Sequence, residues 1–499
     1  MTNIADLVRD SAAARPAHPA LVTRTSRLTW GEFDAAVDRA ARAFADRRIA
    51  PRGRVALMIA NRPEFAVAYF AVLRAGLVAV PLNTGFTAPE LTRLCADSGA
   101  SLLLHDAASA KAAGAASRRS PALDVVALES DAGQSLVGRG PDGRGAFAAP
   151  RTTAKDTAVL MYTSGSEGQP RAAMLSHGAL KANIDALARL RRPAALTAED
   201  VLLLVLPLFH IYGLNAGLGL AAKVGATCVL LDRFDARSSL TAIRELGVTN
   251  VAGAPRMYVA WSAEGSLRES MDGVRLLVSG ASALPPEVFH QFRTITGKPI
   301  WEGYGLTECA PVVTSSLASN RAKAGCVGRP LAGIQVTLRD EAGQEVDEGD
   351  PGEVWVKGKS LLTGYWPDGS GGVDDEGWFH TGDVAIVDED GDYRLVDRRR
   401  DLIIVSGFNV YPREVESVIA THPAVAEVAV IGTPHPLTGE AVRAIVVLRK
   451  GVPEPDDLRA FCEARLARFK CPSIIEFTPK LPHAATGKVT KGKLKETSG

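Results

Sequence analysis

The sequence has few cysteines and almost no net charge, and each shortage narrows what the protein can be. Its six cysteines are scattered through 499 residues without a Cys-x-x-Cys pair, which argues against a zinc site or a disulfide framework and predicts a reducing, cytoplasmic location. The formal net charge is +1, so no global field would recruit nucleic acid or an anionic membrane. We therefore expect small-molecule partners and no nucleic acid.

The sequence also lacks the apolar core of a signal peptide near its N-terminus. Residues 201–222 contain no Asp, Glu, Lys or Arg, a stretch long enough to suggest a membrane span. Because Pro207, His210 and Asn215 interrupt it, we expect a buried strand, a loop and a short helix there. We predict no transmembrane span, and peripheral membrane contact stays open.

The overall composition, with 46% hydrophobic and 23% charged residues, is that of an ordinary globular protein. Short apolar runs alternate with helical patterns, which is typical of parallel α/β layers. The predicted strands are Val55–Ala60, Val78–Leu82, Ser101–Asp106, Thr157–Met161, Val201–Leu206, Thr227–Leu231 and Val274–Ser279. The predicted helices begin after the capping-box residue Thr29 and at Pro63, and span His177–Leu190, Ala236–Leu246 and Pro285–Thr296.

The remaining segments give the predicted domain organisation. Residues 107–156 are rich in Ala, Gly, Ser and Arg, and we expect mostly an irregular connection between two lobes. After about residue 323, short alternating strands with glycine turns predict a small β-barrel or sandwich. We predict an N-terminal domain at 1–399, with doubly wound α/β lobes to about 322 and the barrel to about 397. An α+β C-terminal domain at 400–499 follows, with helices Pro412–Ala420 and Asp456–Ala467.

One loop, from Thr163 to Arg171, has the composition of a phosphate-binding loop. It reads Thr-Ser-Gly-Ser-Glu-Gly-Gln-Pro-Arg after an apolar strand. Small residues let backbone N–H groups approach an oxyanion closely, and Arg171 adds a permanent charge. A flexible surface turn is the alternative. Glu167 is unusual there, because a carboxylate repels phosphate unless Mg²⁺ lies between them.

Three further loops follow predicted strands. They are Pro207–His210, Ser279–Ser282 and Gly303–Glu308, all rich in glycine or polar residues. In open α/β sheets, ligands bind at the carboxyl ends of the strands. We therefore expect these loops to converge on one cleft.

With these motifs in order, the chain resembles the adenylate-forming enzymes, which include acyl- and aryl-CoA synthetases, adenylation domains of peptide synthetases and firefly luciferase. Beside the phosphate loop, the resemblance rests on Trp301–Pro311, Gly377–Asp383, Val396–Asp401, Ser406–Pro412 and Thr486–Lys488. It covers nearly the whole chain and is strongest with bacterial fatty acyl-CoA synthetases. It implies that a carboxylate attacks the α-phosphorus of Mg-ATP, and that the thiol of CoA then displaces AMP from the acyl-adenylate.

The resemblance also implies roles for individual residues. Lys488, Thr307, Glu308 and Arg398 would be catalytic, and Glu308 would hold Mg²⁺. The ATP- and AMP-binding residues would be Thr163, Ser164, Gly165, Ser166, Glu167, Gly168, Arg171, Ser279, Gly280, Ala281, Ser282, Gly303, Tyr304, Gly305, Thr307, Asp383, Arg398 and Lys488. CoA would contact Ser406, Gly407 and Phe408. Arg400 would be the hinge about which a mobile C-terminal domain alternates between two orientations.

The acyl pocket is expected to be lined by His210, Tyr212, Asn215, Ala254, Ala281, Gly303 and Val312. A relative specific for malonate carries an Arg where this chain has Gly303, and a buried carboxylate without a partner is costly. We therefore expect dicarboxylates to be poor substrates and a medium- or long-chain fatty acid to be favoured, with an aryl acid next. His210 would gate this pocket, or would be an ordinary hydrogen-bonded histidine of a β–α loop.

Three departures from the family pattern bear on turnover: Arg171 replaces a commoner Lys, Glu167 a commoner Thr, and Ala172–Ala173 a commoner Gly-Val. The main hypothesis is an AMP-forming acyl-CoA synthetase, as a monomer or homodimer. One alternative is an acyl-AMP ligase that loads a carrier protein, and another is an aryl-CoA ligase. A third, from a different class, is a nucleotide-binding module that has lost turnover.

Overall fold

The computed structural model describes residues 3–139, 147–163, 170–398, 401–405, 408–435, 438–455, 457–483 and 489–496. The chain forms two compact units. The first comprises Met1–Gln335 and Lys357–Phe379, and the second comprises Val336–Val356 and His380–Gly499. The expected hinge, Arg400, lies outside the described residues, so the domain bounds 1–399 and 400–499 stay predictions.

The strands in chain order are β1 (Pro19–Val22), β2 (Arg27–Thr29), β3 (Arg54–Met58), β4 (Val78–Pro81), β5 (Ala100–His105), β6 (Asp124–Ala127), β7 (Thr157–Thr163), β8 (Arg171–Ser176), β9 (Val201–Leu204), β10 (Thr227–Leu230), β11 (Asn250–Gly253), β12 (Leu276–Ser279), β13 (Ile300–Gly305), β14 (Val312–Ser315), β15 (Arg329–Pro330), β16 (Ile334–Arg339), β17 (Gly352–Gly358), β18 (Phe379–Val387), β19 (Tyr393–Arg398), β20 (Ile403–Val405), β21 (Phe408–Val410), β22 (Val425–His435), β23 (Gly439–Leu448) and β24 (Ile474–Phe477).

The α-helices in chain order are α1 (Asp6–Ala14), α2 (Trp30–Asp46), α3 (Pro63–Arg74), α4 (Ala88–Ser98), α5 (Ala110–Arg119), α6 (Asp131–Leu136), α7 (His177–Ala188), α8 (Leu220–Val224), α9 (Ala236–Glu245), α10 (Pro255–Ser262), α11 (Leu267–Ser270), α12 (Pro286–Thr296), α13 (Ser316–Ser319), α14 (Pro412–Ala420), α15 (Leu458–Glu463) and α16 (Lys491–Glu496). Short 3₁₀ turns occur at Ala107–Ser109, Thr307–Cys309 and Arg468–Lys470, and a π-helix at Tyr212–Gly219.

The first unit contains a nine-stranded sheet in the order β15-β14-β13-β12-β11-β9-β10-β1-β2. The six strands from β13 to β1 in that order run parallel, while β14, β15 and β2 are antiparallel to their neighbours. Each predicted strand of this sheet is present, within two residues of its expected ends. Because β9, β11, β12 and β13 run parallel, their carboxyl ends lie along one edge, and three of the four lead into the loops that the sequence indicated.

A second sheet of the first unit has the order β6-β5-β3-β4-β7-β8, parallel except for the β7–β8 pair. Leu91 and Leu94 of α4 pack against buried apolar side chains of this sheet. The expectation of a mostly irregular connection was wrong for residues 107–136, because this part of the segment contains α5, β6 and α6. Strand β6 continues the sheet beside β5, and α5 buries only the small side chains Ala113 and Ala116.

Helix α2 shows how local sequence signals define an element. Thr29 Oγ1 accepts from the Glu32 backbone N–H at 3.2 Å, and Glu32 Oε2 accepts from the Thr29 N–H at 2.8 Å. This capping box satisfies two orphan donors of the first turn and confirms the predicted helix start. Trp30, Phe33, Val37 and Phe44 recur at helical spacing and are fully buried.

The second unit contains two further sheets. Strands β16-β17-β18-β19 form a four-stranded sheet, in place of the barrel expected from the sequence: among the described residues, the first and last strands are not paired. The other sheet has the order β21-β20-β23-β22, with β24 also paired to β23. Helix α14 has the predicted bounds, while α15 is shorter than expected, and their buried residues Val415, Ile419 and Leu458 pack in one apolar core.

The uncharged segment 201–222 becomes strand β9, a loop, a π-helix and the start of α8. Across the part of the chain that the structure describes, no helix combines the length and the apolar character needed to cross a membrane. All six cysteines are free thiols, and five of them are buried.

Candidate functional site

Several predicted site residues of the first unit lie where the parallel strands of the nine-stranded sheet end. Ala254 follows β11, Ala281 follows β12, and the turn with Thr307 and Glu308 follows β13. Because β11, β12 and β13 are consecutive neighbours, these positions share one edge of the sheet. Ala281 has φ +70°, a strained conformation for a residue with a Cβ, and such strain is common at functional sites.

Glu308 is held by a tyrosine that the sequence analysis did not select. The Tyr365 hydroxyl donates a hydrogen bond of 2.6 Å to Glu308 Oε1. Burial and the nearby Glu308 carboxylate raise the pKa of Tyr365, so its hydroxyl remains a donor at neutral pH. The backbone is tied too, because the Leu362 N–H donates to the Glu308 carbonyl at 2.8 Å.

Arg171 begins β8 and lies opposite Thr163 on β7. Its guanidinium carbon lies 4.0 Å from the centroid of the Tyr365 ring, and its Nη2 donates to Ser370 Oγ at 3.2 Å. Thr163 Oγ1 also bonds the Arg171 carbonyl, at 3.4 Å. The two ends of the candidate phosphate loop are thus joined by an antiparallel pair, and Ser164, Gly165, Ser166, Glu167 and Gly168 between them lie outside the described residues.

The expected acyl-pocket residues include a tyrosine packed against the loop after β12. A Cβ placed on Gly280 would lie 2.9 Å from Tyr212 Cε1, so the ring requires a glycine there. Among the described residues, the buried Tyr212 hydroxyl has no hydrogen-bond partner, and neither has the buried Ser279 Oγ. Buried polar atoms without partners are rare and call for an explanation such as a bound ligand.

His210 is neutral in this environment. Its Nδ1 accepts a hydrogen bond of 3.3 Å from the Tyr212 backbone N–H, and burial lowers the pKa of His210 to about 4. A ring that accepts at Nδ1 carries its proton on Nε2, which leaves Nε2–H as a donor. Both of the roles considered for His210, gate and hydrogen-bonded loop residue, remain compatible with this geometry.

Two buried asparagines form hydrogen bonds with the backbone between β13 and the start of β14. Asn215 Nδ2 donates to the carbonyls of Ala310 at 2.7 Å and Leu180 at 3.0 Å. Asn183 Nδ2 donates to the Val312 carbonyl at 2.7 Å, and its Oδ1 accepts from the Val312 N–H at 3.3 Å. Asn215 was expected to face the acid, yet its amide nitrogen is committed to the backbone. Its Oδ1 has no partner among the described residues.

Glu302 is a buried carboxylate beside the site. Its Oε1 accepts from the Gly325 N–H at 3.1 Å and its Oε2 from the Leu284 N–H at 3.3 Å. Burial raises the pKa of Glu302 to about 7, and the two backbone donors only partly offset that effect. Glu302 thus ties the loop after β12 to the segment that precedes β15.

Gly303 and Tyr304 belong to β13 itself. Gly303 lies opposite Ser315 on β14, and a Cβ added to it would lie 3.2 Å from the Thr314 carbonyl oxygen. A larger side chain at 303 would therefore require a small backbone shift. Tyr304 is buried and pairs with Thr314.

In the second unit, two residues with expected ribose contacts are direct neighbours. Asp383 on β18 lies opposite Arg398 on β19 in the antiparallel register. Asp383 is 9% exposed. Other predicted positions, Arg400, Ser406, Gly407 and Lys488, lie outside the described residues, and Phe408 is described only as the first residue of β21.

Among the residues that the structure describes, no group of three or more His, Cys, Asp or Glu side chains is arranged to hold a metal ion. Glu308 offers a different arrangement: Oε1 is fixed by Tyr365, whereas no donor among the described residues bonds Oε2. Mg²⁺ in nucleotide sites is typically bound by one or two carboxylates, substrate phosphates and water. A single carboxylate with one uncommitted oxygen fits that coordination.

Comparison with known proteins shows the family that the chain matches. Residues 8–366 match the family described as AMP-binding enzyme, and residues 414–488 match the AMP-binding enzyme C-terminal domain. The chain is 36% identical over 482 residues to a feruloyl-CoA synthase of an Amycolatopsis species, covering 95% of this chain and 94% of that protein. It is 33% identical over 479 residues to a long-chain-fatty-acid–CoA ligase of Yersinia pestis, covering 89% and 85%.

Solved structures include a chain of similar fold. The crystal structure of ATP-bound MatB from Rhodopseudomonas palustris is similar to this chain with a TM-score of 0.92 at 31% identity, covering 100% of this chain and 99% of that one.

Proposed function

The chain belongs to the family of AMP-binding enzymes and is an AMP-forming acyl-CoA synthetase, and from that premise we propose that its acid is a medium- or long-chain fatty acid. ATP and a carboxylic acid are its substrates, and acyl-adenylate is the intermediate. The two half-reactions make chemical sense, because a carboxylate is a poor electrophile until its oxygen becomes part of a mixed anhydride with AMP.

The observation that carries the fatty-acid proposal is the absence of charge in the acyl site. Of the seven residues expected to line it, none is charged at neutral pH: burial lowers the pKa of His210 to about 4, and the other six have no ionised group at that pH. A second carboxylate on the acid would therefore find no partner among these residues, at a cost of several kcal/mol. An apolar monocarboxylate meets no such penalty.

In the adenylation step, we propose that side chains and backbone groups of the chain hold the phosphates, the ribose and the carboxylate in place. Thr307 would contact the α-phosphate, the loop from Thr163 to Arg171 would cradle the leaving pyrophosphate, and Lys488 would bridge the acid and the α-phosphate. Asp383 would accept from the ribose hydroxyls beside Arg398, a strong charge-assisted contact. His210 Nε2–H is available to donate to the carboxylate of the acid.

Mg²⁺ would be held by Glu308 together with the phosphates of ATP, and when bound it would neutralise charge that develops on the phosphate oxygens. CoA would enter afterwards beside Ser406, Gly407 and Phe408, with Arg400 as the hinge, as the family resemblance implies.

A second candidate acid is aromatic, and the similarity to the feruloyl-CoA synthase favours it. The Tyr212 ring against Gly280 would offer a surface on which an aryl group can stack. Both candidates are apolar monocarboxylates, so the argument from charge does not separate them. Transfer to a carrier protein instead of CoA is a further alternative.

The test is a panel of acids incubated with the purified protein, ATP, Mg²⁺ and CoA, with the thioesters identified by mass spectrometry. The panel contains octanoate, palmitate, ferulate, benzoate and malonate. The proposal predicts the highest kcat/KM for a fatty acid and almost none for malonate. A preference for ferulate or benzoate would replace the fatty-acid proposal by the aryl one, and efficient use of malonate would overturn both.

A further inference from the structure

We propose that Tyr365 is a positioning residue that holds Glu308 through its hydroxyl and Arg171 through its ring. One side chain would thus set the geometry of two groups, the carboxylate assigned to Mg²⁺ and the cation at the end of the phosphate loop. The inference rests on the proposed roles of Glu308 and Arg171. It adds a residue to the site that none of the sequence motifs identified.

The hydroxyl contact fixes the carboxylate. The distance of 2.6 Å from Tyr365 Oη to Glu308 Oε1 is typical of an O–H donor on a charged acceptor, which is stronger than a neutral pair. With Oε1 engaged, the carboxylate plane cannot rotate freely. Since Oε2 has no donor among the described residues, it is the oxygen that remains for a cation.

The ring contact orients the arginine. The Arg171 guanidinium carbon lies 4.0 Å from the Tyr365 ring centroid, well inside the range of a cation–π contact. A planar guanidinium stacks on an aromatic face in a way that a lysine ammonium does not. Ser370 then takes one guanidinium N–H, and a Cβ at Gly371 would lie 3.1 Å from the Tyr365 ring and 3.3 Å from Arg171 Nη2.

The backbone around Tyr365 is itself held against β8, which makes it a rigid support. The Met174 N–H donates to the Gly364 carbonyl at 3.0 Å, and the Trp366 N–H donates to the Ala172 carbonyl at 2.9 Å. Ala173 and Tyr365 form an antiparallel bridge between these bonds. Tyr365 is thus fixed between the strand that follows the phosphate loop and the turn that contains Glu308.

The two contacts predict separable defects. In Tyr365→Phe the ring stays and the hydroxyl is lost, so metal binding should weaken while KM for ATP changes little. Partners that orient a metal ligand typically contribute about 10–100-fold to metal affinity. In Arg171→Lys the charge stays and the stacking is lost, so KM for ATP should rise by about 5-fold or more, in line with a cation–π contact, while metal affinity stays near that of the wild type.

The primary measurement is Mn²⁺ binding by electron paramagnetic resonance, in the presence of an ATP analogue with a methylene group between the α- and β-phosphates, which does not react. The second is the KM for ATP in acid-dependent pyrophosphate exchange. Tyr162→Phe is the matched control, because the Tyr162 hydroxyl bonds a different carboxylate, Asp97 Oδ2, at 2.5 Å. This control should bind Mn²⁺ like the wild type.

Weaker Mn²⁺ binding by Tyr365→Phe alone supports the inference. Wild-type Mn²⁺ affinity in Tyr365→Phe, or an equal loss of Mn²⁺ affinity in Tyr162→Phe, overturns it. It is also overturned if Tyr365→Phe and Arg171→Lys each show both a weaker Mn²⁺ affinity and a raised KM for ATP. A wild-type protein that exchanges no pyrophosphate with any acid would instead contradict the proposed function, so the two failures are distinguishable.

Discussion

At the scale of single residues, burial sets the protonation state of the groups around the candidate site. His210 is neutral because burial lowers its pKa to about 4, and Tyr365 keeps its proton because burial and Glu308 raise its pKa. Glu302 is the third such group, with a pKa raised to about 7. All three shifts favour the neutral form, and the shift of His210 keeps the expected acyl site without fixed charge.

Glu302 makes stability depend on pH in a defined direction. Its folded pKa lies above the ordinary value of 4.5, so the folded state holds the proton more tightly. The resulting stability is complete below pH 4.5 and is lost as the pH rises through 7, by about 3 kcal/mol at most. Glu302→Gln does not titrate, and we expect it to lack this decline when urea unfolding is followed from pH 4.5 to pH 8.

An exposed acid, Glu341, supplies the control for that experiment. Glu341→Gln should decline in stability with pH in parallel with the wild type. Were Glu302→Gln to follow the wild-type curve as well, the buried carboxyl would not be the source of the pH dependence.

At the scale of secondary-structure elements, the sequence predicted those with strong periodicity and missed those without it. Strands β9, β10 and β12 and helices α7, α9 and α12 have bounds close to the expected ones, because large apolar side chains mark them. Helix α5 was missed, since its buried positions Ala113 and Ala116 are no more apolar than its exposed alanines. Strand β6 overlaps a short apolar run at residues 125–128, but at four residues it was too short to predict a strand within a segment rich in small residues.

The candidate site was predictable only in part, for a related reason. Glycine and polar residues after apolar runs indicated the loops at the strand ends. Partners that are distant in sequence left no local pattern: Tyr365 bonds Glu308 across 57 residues, and Asn183 bonds Val312 across 129. The strand pattern of β16–β19 likewise led us to expect a barrel. The pattern of a strand does not encode whether the sheet closes, so the open four-stranded sheet among the described residues could not be foreseen.

Substitution of Asn215 tests which hydrogen bonds hold the loop after β13 in place. In Asn215→Ala, the carbonyls of Leu180 and Ala310 lose their donor in a buried place, which should cost about 1–3 kcal/mol of unfolding free energy. Because the loosened loop also carries Thr307, which is assigned to the α-phosphate, KM for ATP should rise too. Urea unfolding and steady-state kinetics measure the two effects, and unchanged values in both would show that Asn215 does not support the loop.

Gly280 tests the packing between the loop after β12 and the π-helix. Gly280→Ala would place a Cβ 2.9 Å from the Tyr212 ring, closer than such contacts normally occur, so the ring must move. We expect KM for the acid to rise by about 10-fold, as for a loss of about 1–3 kcal/mol of apolar contact. Gly265→Ala, with open space around the new methyl group, is the control. Equal KM values in the two variants would contradict the packing.

At the scale of the whole molecule, residues with expected roles occur in both compact units. Arg171, Thr307 and Glu308 belong to the first, and Asp383, Arg398 and Lys488 belong to the second. The family resemblance implies that the C-terminal region presents Lys488 for adenylation and a different loop for thioester formation. Pyrophosphate must leave before a thiol can approach, which gives such an alternation a chemical purpose.

Lys488→Ala separates the two half-reactions. We expect it to lower acid-dependent pyrophosphate exchange by roughly 10²–10³, the usual contribution of one preorganised charge donor to a transition state. Thioester formation from supplied acyl-adenylate and CoA should change far less, because the family resemblance assigns Lys488 to the adenylation step alone. An equal loss in both assays would contradict the division of labour between the two orientations.

The most direct test of the central claim is exchange of labelled pyrophosphate into ATP by the wild-type protein without CoA. If the chain converts an acid into an acyl-adenylate, exchange should require both Mg²⁺ and a carboxylic acid and should be fastest with a fatty acid. Absence of exchange with every acid, or exchange that continues when the acid is omitted, would contradict the account.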